Sequence, residues 1–204
     1  EGSGICIEHG VRIEEDVLVK GSVHIGHGSL VRAGSVVQSD IPAYCIAEGN
    51  PAHVVRAFSL QEKAWLPAAD VQELARLMEE RKTAAPLLTF AIITYNRSKY
   101  LRRSLDCVLQ QLGNDDLVEI LVSDNASTDE TRSVVQERQA AYKNLHYRCN
   151  EENVGAEANI HRAVQAARGE YVLVAGDDDY FIDGSLPAVL GRILQHRDRA
   201  LFHL

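Results

Sequence analysis

GEYVLVAGDDDYF, residues 169–181, is an apolar run that stops at three adjacent carboxylates, Asp177, Asp178 and Asp179. Like charges in a row repel one another, so the triplet needs something to offset that repulsion. EYVLVAG reads as a strand, and the triplet follows it directly. Working outward, the same rhythm repeats. LLTFAIIT (87–94) is a near-continuous apolar run, as for a strand buried on both faces. VEILVSD (118–124) and LHYRC (145–149) read as further strands, and ALFHL (200–204) as the start of another. Between them lie helical patterns. SKYLRRSLDCVLQQL (98–112) puts Leu101, Leu105, Val108 and Leu112 on one face. STDETRSVVQERQAAY (127–142) opens with a capping box, Ser127 to Glu130. AEANIHRAVQAARG (156–169) is a helix closed by Gly169, and GSLPAVLGRILQHR (184–197) carries Pro187 in its first turn. Strand–helix alternation predicts an open α/β sheet of parallel strands. Ligands of such sheets sit beyond the C-terminal strand ends. TYNR (94–97), DNASTD (124–129) and DDD (177–179) all follow strands, so they converge on one edge.

A different period governs the first 40 residues. In sixes they read ICIEHG, VRIEED, VLVKGS, VHIGHG, SLVRAG and SVVQSD, from residue 5 onward. First positions are Ile5, Val11, Val17, Val23, Ser29 and Ser35; third positions are Ile7, Ile13, Val19, Ile25, Val31 and Val37. No α-helix holds a period of six in register, whereas short strands wound into a solenoid do. Three sixes make a coil, with both columns facing inward and Gly26, Gly28 and Gly34 at corners. Between the two patterns, SLQE (59–62) and DVQE (70–73) read as capping boxes. The second opens a helix with Val71, Leu74, Leu77 and Met78 on one stripe, stopped by Pro86. The predicted organisation is a solenoid over 1–58, a helical linker over 59–86 and an α/β sheet over 87–204.

Composition excludes several classes. The chain has 204 residues and a net charge of −8, which argues against non-specific nucleic-acid binding. Cys6, Cys45, Cys107 and Cys149 are scattered without zinc spacing and read as reduced thiols. No run of 18 apolar residues occurs and the N-terminus lacks signal-peptide features. GxxxxGK[ST] and GxGxxG are both absent, and GDDDYFIDG lacks the spacing of a calcium loop. Adjacent carboxylates at a strand end suit a hard cation, Mg²⁺ or Mn²⁺, which can in turn hold phosphate oxygens. Three other readings stay open. Asp124 could cap the turn into STDE, DDD could be a solvated acidic loop, and Tyr95 could be packing.

Two resemblances add to this. AIITYNRSKYLRRSLDCVLQQ, VEILVSDNASTDET, NEENVGAEANIHRAV and GEYVLVAGDDD together resemble family 2 glycosyltransferases of the GT-A fold, of the kind that build bacterial surface polysaccharide. The resemblance implies a Rossmann-like sheet, cut short at Leu204. It also implies transfer of a sugar from a UDP-, GDP- or dTDP-sugar to a glycan or lipid-linked acceptor, in the cytoplasm or at the inner membrane face. Thr94, Tyr95, Arg97, Asp124, Asn125, Asn153, Gly155, Arg162 and Asp177 would line the nucleotide-sugar site. Asp178 and Asp179 would hold the metal. The catalytic base is unassigned and expected beyond Leu204; many relatives carry an acidic residue where this chain has Gly176. The hexads, with IGHGSLVRAGSVVQSDIPAYCIAEGNPAHVVRAF (25–58), resemble the closing coils of left-handed parallel β-helix acyltransferases. That implies acyl-CoA contacts at Ala33, Gly34, Ser35, His53 and Arg56, and assembly as a homotrimer. His9, His24 and His27 are the histidines near enough to consider for catalysis, and each also fits a solvated corner. An O-acyltransferase, a bifunctional enzyme and a trimerising scaffold are the alternative functions.

Overall fold

The structure, a computed structural model, describes residues 4–68 and 70–196. They fall into two compact units: residues up to Ala84 together with Pro187–His196, and Ala85–Leu186. The fifth strand expected at 200–204 lies outside the described residues.

Six-residue spacing sets the first unit. Its short strands are β1 (Ile5–Ile7), β2 (Arg12–Ile13), β3 (Leu18–Val19), β4 (Val23–Ile25), β5 (Leu30–Val31) and β6 (Val36–Val37). They pair in parallel, Ile5 with Val23, Arg12 with Leu30 and Leu18 with Val36, each three hexads further along. A chain that meets itself every three hexads on three faces is coiled, as the period requires. In the second coil both columns are buried: Val23, Ile25, Ser29, Val31, Ser35 and Val37. Ile5, Ile7 and Ile13 of the first coil are exposed. Ser29 and Ser35, the small residues of the column, turn inward and work as hydrogen-bonding groups. Ser29 Oγ donates to Pro42 O at 2.7 Å and accepts from Cys45 N at 3.1 Å; Ser35 Oγ accepts from Gly49 N at 3.3 Å. There the hexads give way to β7 (Cys45–Gly49), β8 (Ala52–Ser59) and β9 (Ala64–Pro67), the last two antiparallel additions.

The linker departs from the helical expectation over its first part. Ser59 Oγ does accept from Glu62 N at 3.0 Å, the geometry of a cap. No helix follows, because the chain turns at Leu60–Lys63 and returns as β9 on β8. The second capping signal holds: Asp70 Oδ1 accepts from Glu73 N at 2.8 Å and opens α1 (Val71–Thr83). Arg81 of α1 is buried, and its guanidinium donates to the carbonyls of Ala43, Tyr44 and Phe58. These hydrogen bonds from one side chain fix the helix to the end of the coil.

The second unit is a parallel sheet of β10 (Leu88–Thr94), β11 (Val118–Asp124), β12 (Leu145–Cys149) and β13 (Tyr171–Gly176), in the order β12-β11-β10-β13. The crossovers are α2 (Ser98–Leu112), α3 (Thr131–Gln139) and α4 (Ala156–Ala166); α5 (Ser185–Gln195) follows β13. The first three strands run outward in one direction and β13 then pairs on the other side of β10. That reversal opens a crevice at the strand ends. The register Thr94–Asp124–Cys149, with Ile93 opposite Gly176, brings the polar segments level at this edge.

Two boundary expectations change. Helix α3 begins at Thr131, where Asp129 Oδ1 accepts from Thr131 N at 3.1 Å, so Ser127 and Glu130 form no capping box. Helix α4 ends at Ala166, before Gly169. Gly169 instead lets the chain cross β10 closely: a Cβ there would lie 2.7 Å from the Leu88 carbonyl carbon. Its N–H donates to Thr89 Oγ1 at 2.8 Å, and Thr89 donates to buried Glu119 at 2.6 Å. Burial would raise the Glu119 pKa, but Thr89 and the Arg168 backbone and guanidinium outweigh it and hold it below the ordinary value.

Candidate nucleotide-sugar site

Beyond β10 and β13 lies a cavity of about 650 Å³, lined by Thr94, Tyr95, Arg97, Asn125, Gly176 and Asp178 among others. Its volume falls within the range for small-molecule sites. The aspartate triplet is resolved residue by residue. Asp177 is buried; its Oδ2 accepts from Thr94 Oγ1 at 2.7 Å, and its Oδ1 lies 3.2 Å from Arg97 Nη1. Asp178 is exposed and accepts from Arg97 Nη2 at 2.8 Å. Asp179 folds back, its Oδ2 accepting from Gly176 N at 2.7 Å. Arg97 thus faces both Asp177 and Asp178 while Asp179 turns to the backbone, which offsets the repulsion within the triplet. Burial raises the Asp177 pKa above its ordinary value against the pull of Thr94 and Arg97. The hydrogen bond from Arg97 lowers that of Asp178.

The opposite wall is a network of asparagines. Asn125 Nδ2 donates to Asn153 Oδ1 at 2.7 Å and to Gly155 O at 3.2 Å, while its Oδ1 accepts from Val154 N and Asn150 Nδ2. Asn159, fully buried, accepts from Ser123 Oγ and Asn150 Nδ2 and donates to Ser123 O. This fixes the 150–155 loop against the end of β11. Gly155, with φ 85°, is the N-cap of α4, whose first turn lines the cavity. A helix N-terminus carries free N–H groups and partial positive charge, which favour an anion.

The loops after β10 and β11 are clipped together. Asn96 N donates to Ser127 Oγ at 2.8 Å, Thr128 N to Asn96 Oδ1 at 2.7 Å, and Ser98 N to Asp129 Oδ2 at 2.8 Å. Asn96 and Ala126 take the left-handed conformation, at φ 52° and 67°. Such backbone persists where surrounding contacts hold it.

The structure thus brings Thr94, Tyr95, Arg97, Asn125, Asn153, Gly155, Asp177 and Asp178 to one cavity. Asp124 is set apart from it. It is buried, and its Oδ1 accepts from Ser127 N at 2.9 Å and its Oδ2 from Tyr147 Oη. Oδ1 thus holds the turn and Oδ2 reaches β12. Arg162 lies one residue removed, donating to Asn150 Oδ1 at 3.2 Å. Asn96, Asp129, Asn150 and Asn159 are not among the predicted site residues, and Ser127 is predicted only as a helix cap. Ser127 and Asp129 stand in a visible polar cluster, whereas nothing marks Asn159, one polar residue in an amphipathic helix. In the first unit Ala33, Gly34, His53 and Arg56 are exposed and Ser35 is buried. His24 Nε2 and His27 Nδ1 meet Glu8 at 2.9 and 2.7 Å, and His9 stacks on His27.

The sequence profile of Glycosyl transferase family 2 matches residues 89–202. The chain belongs to that family. Among its relatives, the abequosyltransferase RfbV of Salmonella typhimurium is 37% identical over 49% of this chain and 30% of its own length. A Campylobacter jejuni GalNAc(5)-diNAcBac-PP-undecaprenol beta-1,3-glucosyltransferase is 32% identical over 52% of this chain and 34% of its own. The chain thus spans about a third of the length of these curated relatives. The solved structure of S. aureus TarS 1-349 with UDP-GlcNAc is 28% identical, with a TM-score of 0.50 over 54% of this chain and 32% of that one. The four-stranded sheet is the GT-A-like part of a family 2 transferase. No helix among the described residues is long and apolar enough to cross a membrane.

Proposed function

We propose that the second unit is the donor-binding half of a glycosyltransferase that transfers a sugar from a nucleoside diphosphate to a glycan or lipid-linked acceptor. The observation that carries this reading is the cavity at the sheet's reversal point, bounded by Asp177–Thr94, Arg97, Asn125 and the N-terminus of α4. In this reading Asp177 faces the ribose, Asn125 and the 153–155 turn bound the base, and Tyr95 offers a face for stacking. The α4 N–H groups and Arg97 face the diphosphate. Asp124 acts by holding the loop that carries Asn125. The UDP-GlcNAc complex of TarS supports a nucleotide-sugar donor, and the Campylobacter transferase's name supports a lipid-linked acceptor. The synthesis of surface polysaccharide on the cytoplasmic side of a membrane belongs to the same proposal. The chain assigns no residue to the base that must deprotonate the acceptor hydroxyl.

A Mg²⁺ or Mn²⁺ ion belongs to the same proposal; among the described residues no three His, Cys, Asp or Glu side chains gather as a metal site, so it would rest on two carboxylates and the donor's phosphates. Asp178 Oδ1 and Asp179 Oδ2 both come close to Gly176, 3.0 and 3.3 Å from where a Cβ would stand, and these two carboxylates are the hard oxygen donors that would hold the ion. When bound, the cation supplies neutralisation of the charge on the departing diphosphate. Calorimetry with UDP and Mn²⁺, on the chain and on Asp178→Asn, tests the reading. UDP binding that strengthens with Mn²⁺, and loses that gain in the variant, is expected. Absence of UDP binding by the intact chain ends it.

The first unit carries a second reading, drawn from its three-hexad pairing. It is the left-handed β-helix end of an acyltransferase-like or trimerising domain, within the organisation 1–58, 59–86 and 87–204. Acetyl-CoA titration and light scattering distinguish these roles: binding lost in Arg56→Ala supports the first, a trimer supports the second.

A further inference from the structure

One guanidinium neutralises both front carboxylates of the triplet: Arg97 lies 3.2 Å from Asp177 and 2.8 Å from Asp178. Among the residues lining the cavity, Arg97 is the one cationic side chain. It is 42% exposed and lies over the Tyr100 ring at 4.7 Å. Its stem and head are therefore supported from below while the guanidinium is reachable from solvent. Asp178 gives Oδ2 to Arg97, while its Oδ1 and Asp179 Oδ2 both lie close to Gly176. A cation held by Asp178 and Asp179 shares Asp178 with the arginine, and two positive groups a few ångströms apart repel.

We propose that Arg97 is a built-in counter-ion of the Asp177–Asp178 pair, displaced when a divalent cation takes Asp178 and then free to bind the donor's diphosphate. This rests on the donor-site reading above. The guanidinium fork suits both positions, since it pairs with carboxylate and phosphate oxygens in the same planar geometry. A second consequence is order. Without a cation, Arg97 is held by carboxylates and is a poor phosphate ligand. With a cation on Asp178, the arginine loses its stronger partner and turns to the anion. Metal and nucleotide then bind cooperatively, the coupling passing through one side chain.

The test measures Mn²⁺ binding alone, by the paramagnetic resonance signal of the free ion, and UDP binding alone, by calorimetry. Arg97→Met keeps the stem and removes the charge. It is expected to bind Mn²⁺ about fivefold more tightly than the wild-type chain and UDP more weakly, a factor matching the upper range of an exposed ion pair. In the same variant the cooperativity between Mn²⁺ and UDP is lost. Equal or weaker Mn²⁺ binding by Arg97→Met overturns the proposal. Arg97→Lys keeps a positive charge without the fork and serves if the first variant does not fold: tighter Mn²⁺ binding supports the competition, equal or weaker binding overturns it. Asp178→Asn separates the two levels. Mn²⁺ binding lost there but unchanged in Arg97→Met leaves the metal site standing and removes the competition. No Mn²⁺ binding by any of these chains removes both.

Discussion

Asp177 shows how one residue's chemistry is set by its neighbours. Burial disfavours its charged form, and Thr94 and Arg97 together do not fully offset that cost. A carboxyl whose folded pKa is raised stabilises the fold below its unfolded pKa and loses that contribution as pH rises through the folded value. Near neutral pH the ionised side chain is therefore a net cost to folding. Asp177→Asn keeps an acceptor for Thr94 and removes the charge. Urea unfolding at pH 7 should show the variant at least as stable as the wild-type chain, while UDP binding falls. Thr94, Arg97 and the triplet were legible from sequence as polar residues following apolar strands. Asp124 was legible as a carboxylate at a strand end, and the fold adds the partners of its two oxygens, Ser127 and Tyr147.

Contacts between elements explain what local signals mispredict. Ser59 has the hydrogen bond of a helix cap and yet leads into a turn, since β8 offers β9 an antiparallel partner. Gly169 has the look of a helix stop and serves instead as a crossing point over β10. Gly169→Ala would push a methyl into the backbone of Leu88 and Thr89. A loss of about 1–3 kcal/mol, the usual cost of overpacking, is expected in urea unfolding. In the first unit Glu8 joins two coils, accepting from His24 and from the backbone and ring of His27. Burial acts to raise its pKa, but these hydrogen bonds prevail and lower it from 4.5 to about 2. A lowered carboxylate contributes stability above its unfolded pKa, lost as pH falls from 4.5 through about 2. Melting temperature measured across that range should fall less steeply in Glu8→Gln. With Glu8 a third exposed, the effect should not exceed about 1 kcal/mol.

At the scale of the whole molecule, two periodicities are written into one chain. A period of six turns the side chains of Val23, Ile25, Val31 and Val37 inward from successive faces of the coil, and all are buried. Alternating strand and helix patterns likewise imply parallel pairing, because only a crossover can bring the next strand round in the same direction. The sequence alone therefore determined the coil, the parallel sheet and the edge at which its polar segments gather, since these follow from spacing along the chain. Tertiary structure decided which polar groups answer one another across that edge. Thr94 meets Asp177, Asn125 meets Asn150 and Asn153, and Arg97 spans two aspartates. These partners are up to 83 residues apart, and hydrogen bonds act over about 3 Å. Local pattern fixes direction and face, whereas such pairings depend on strand order and register, which only the folded sheet supplies.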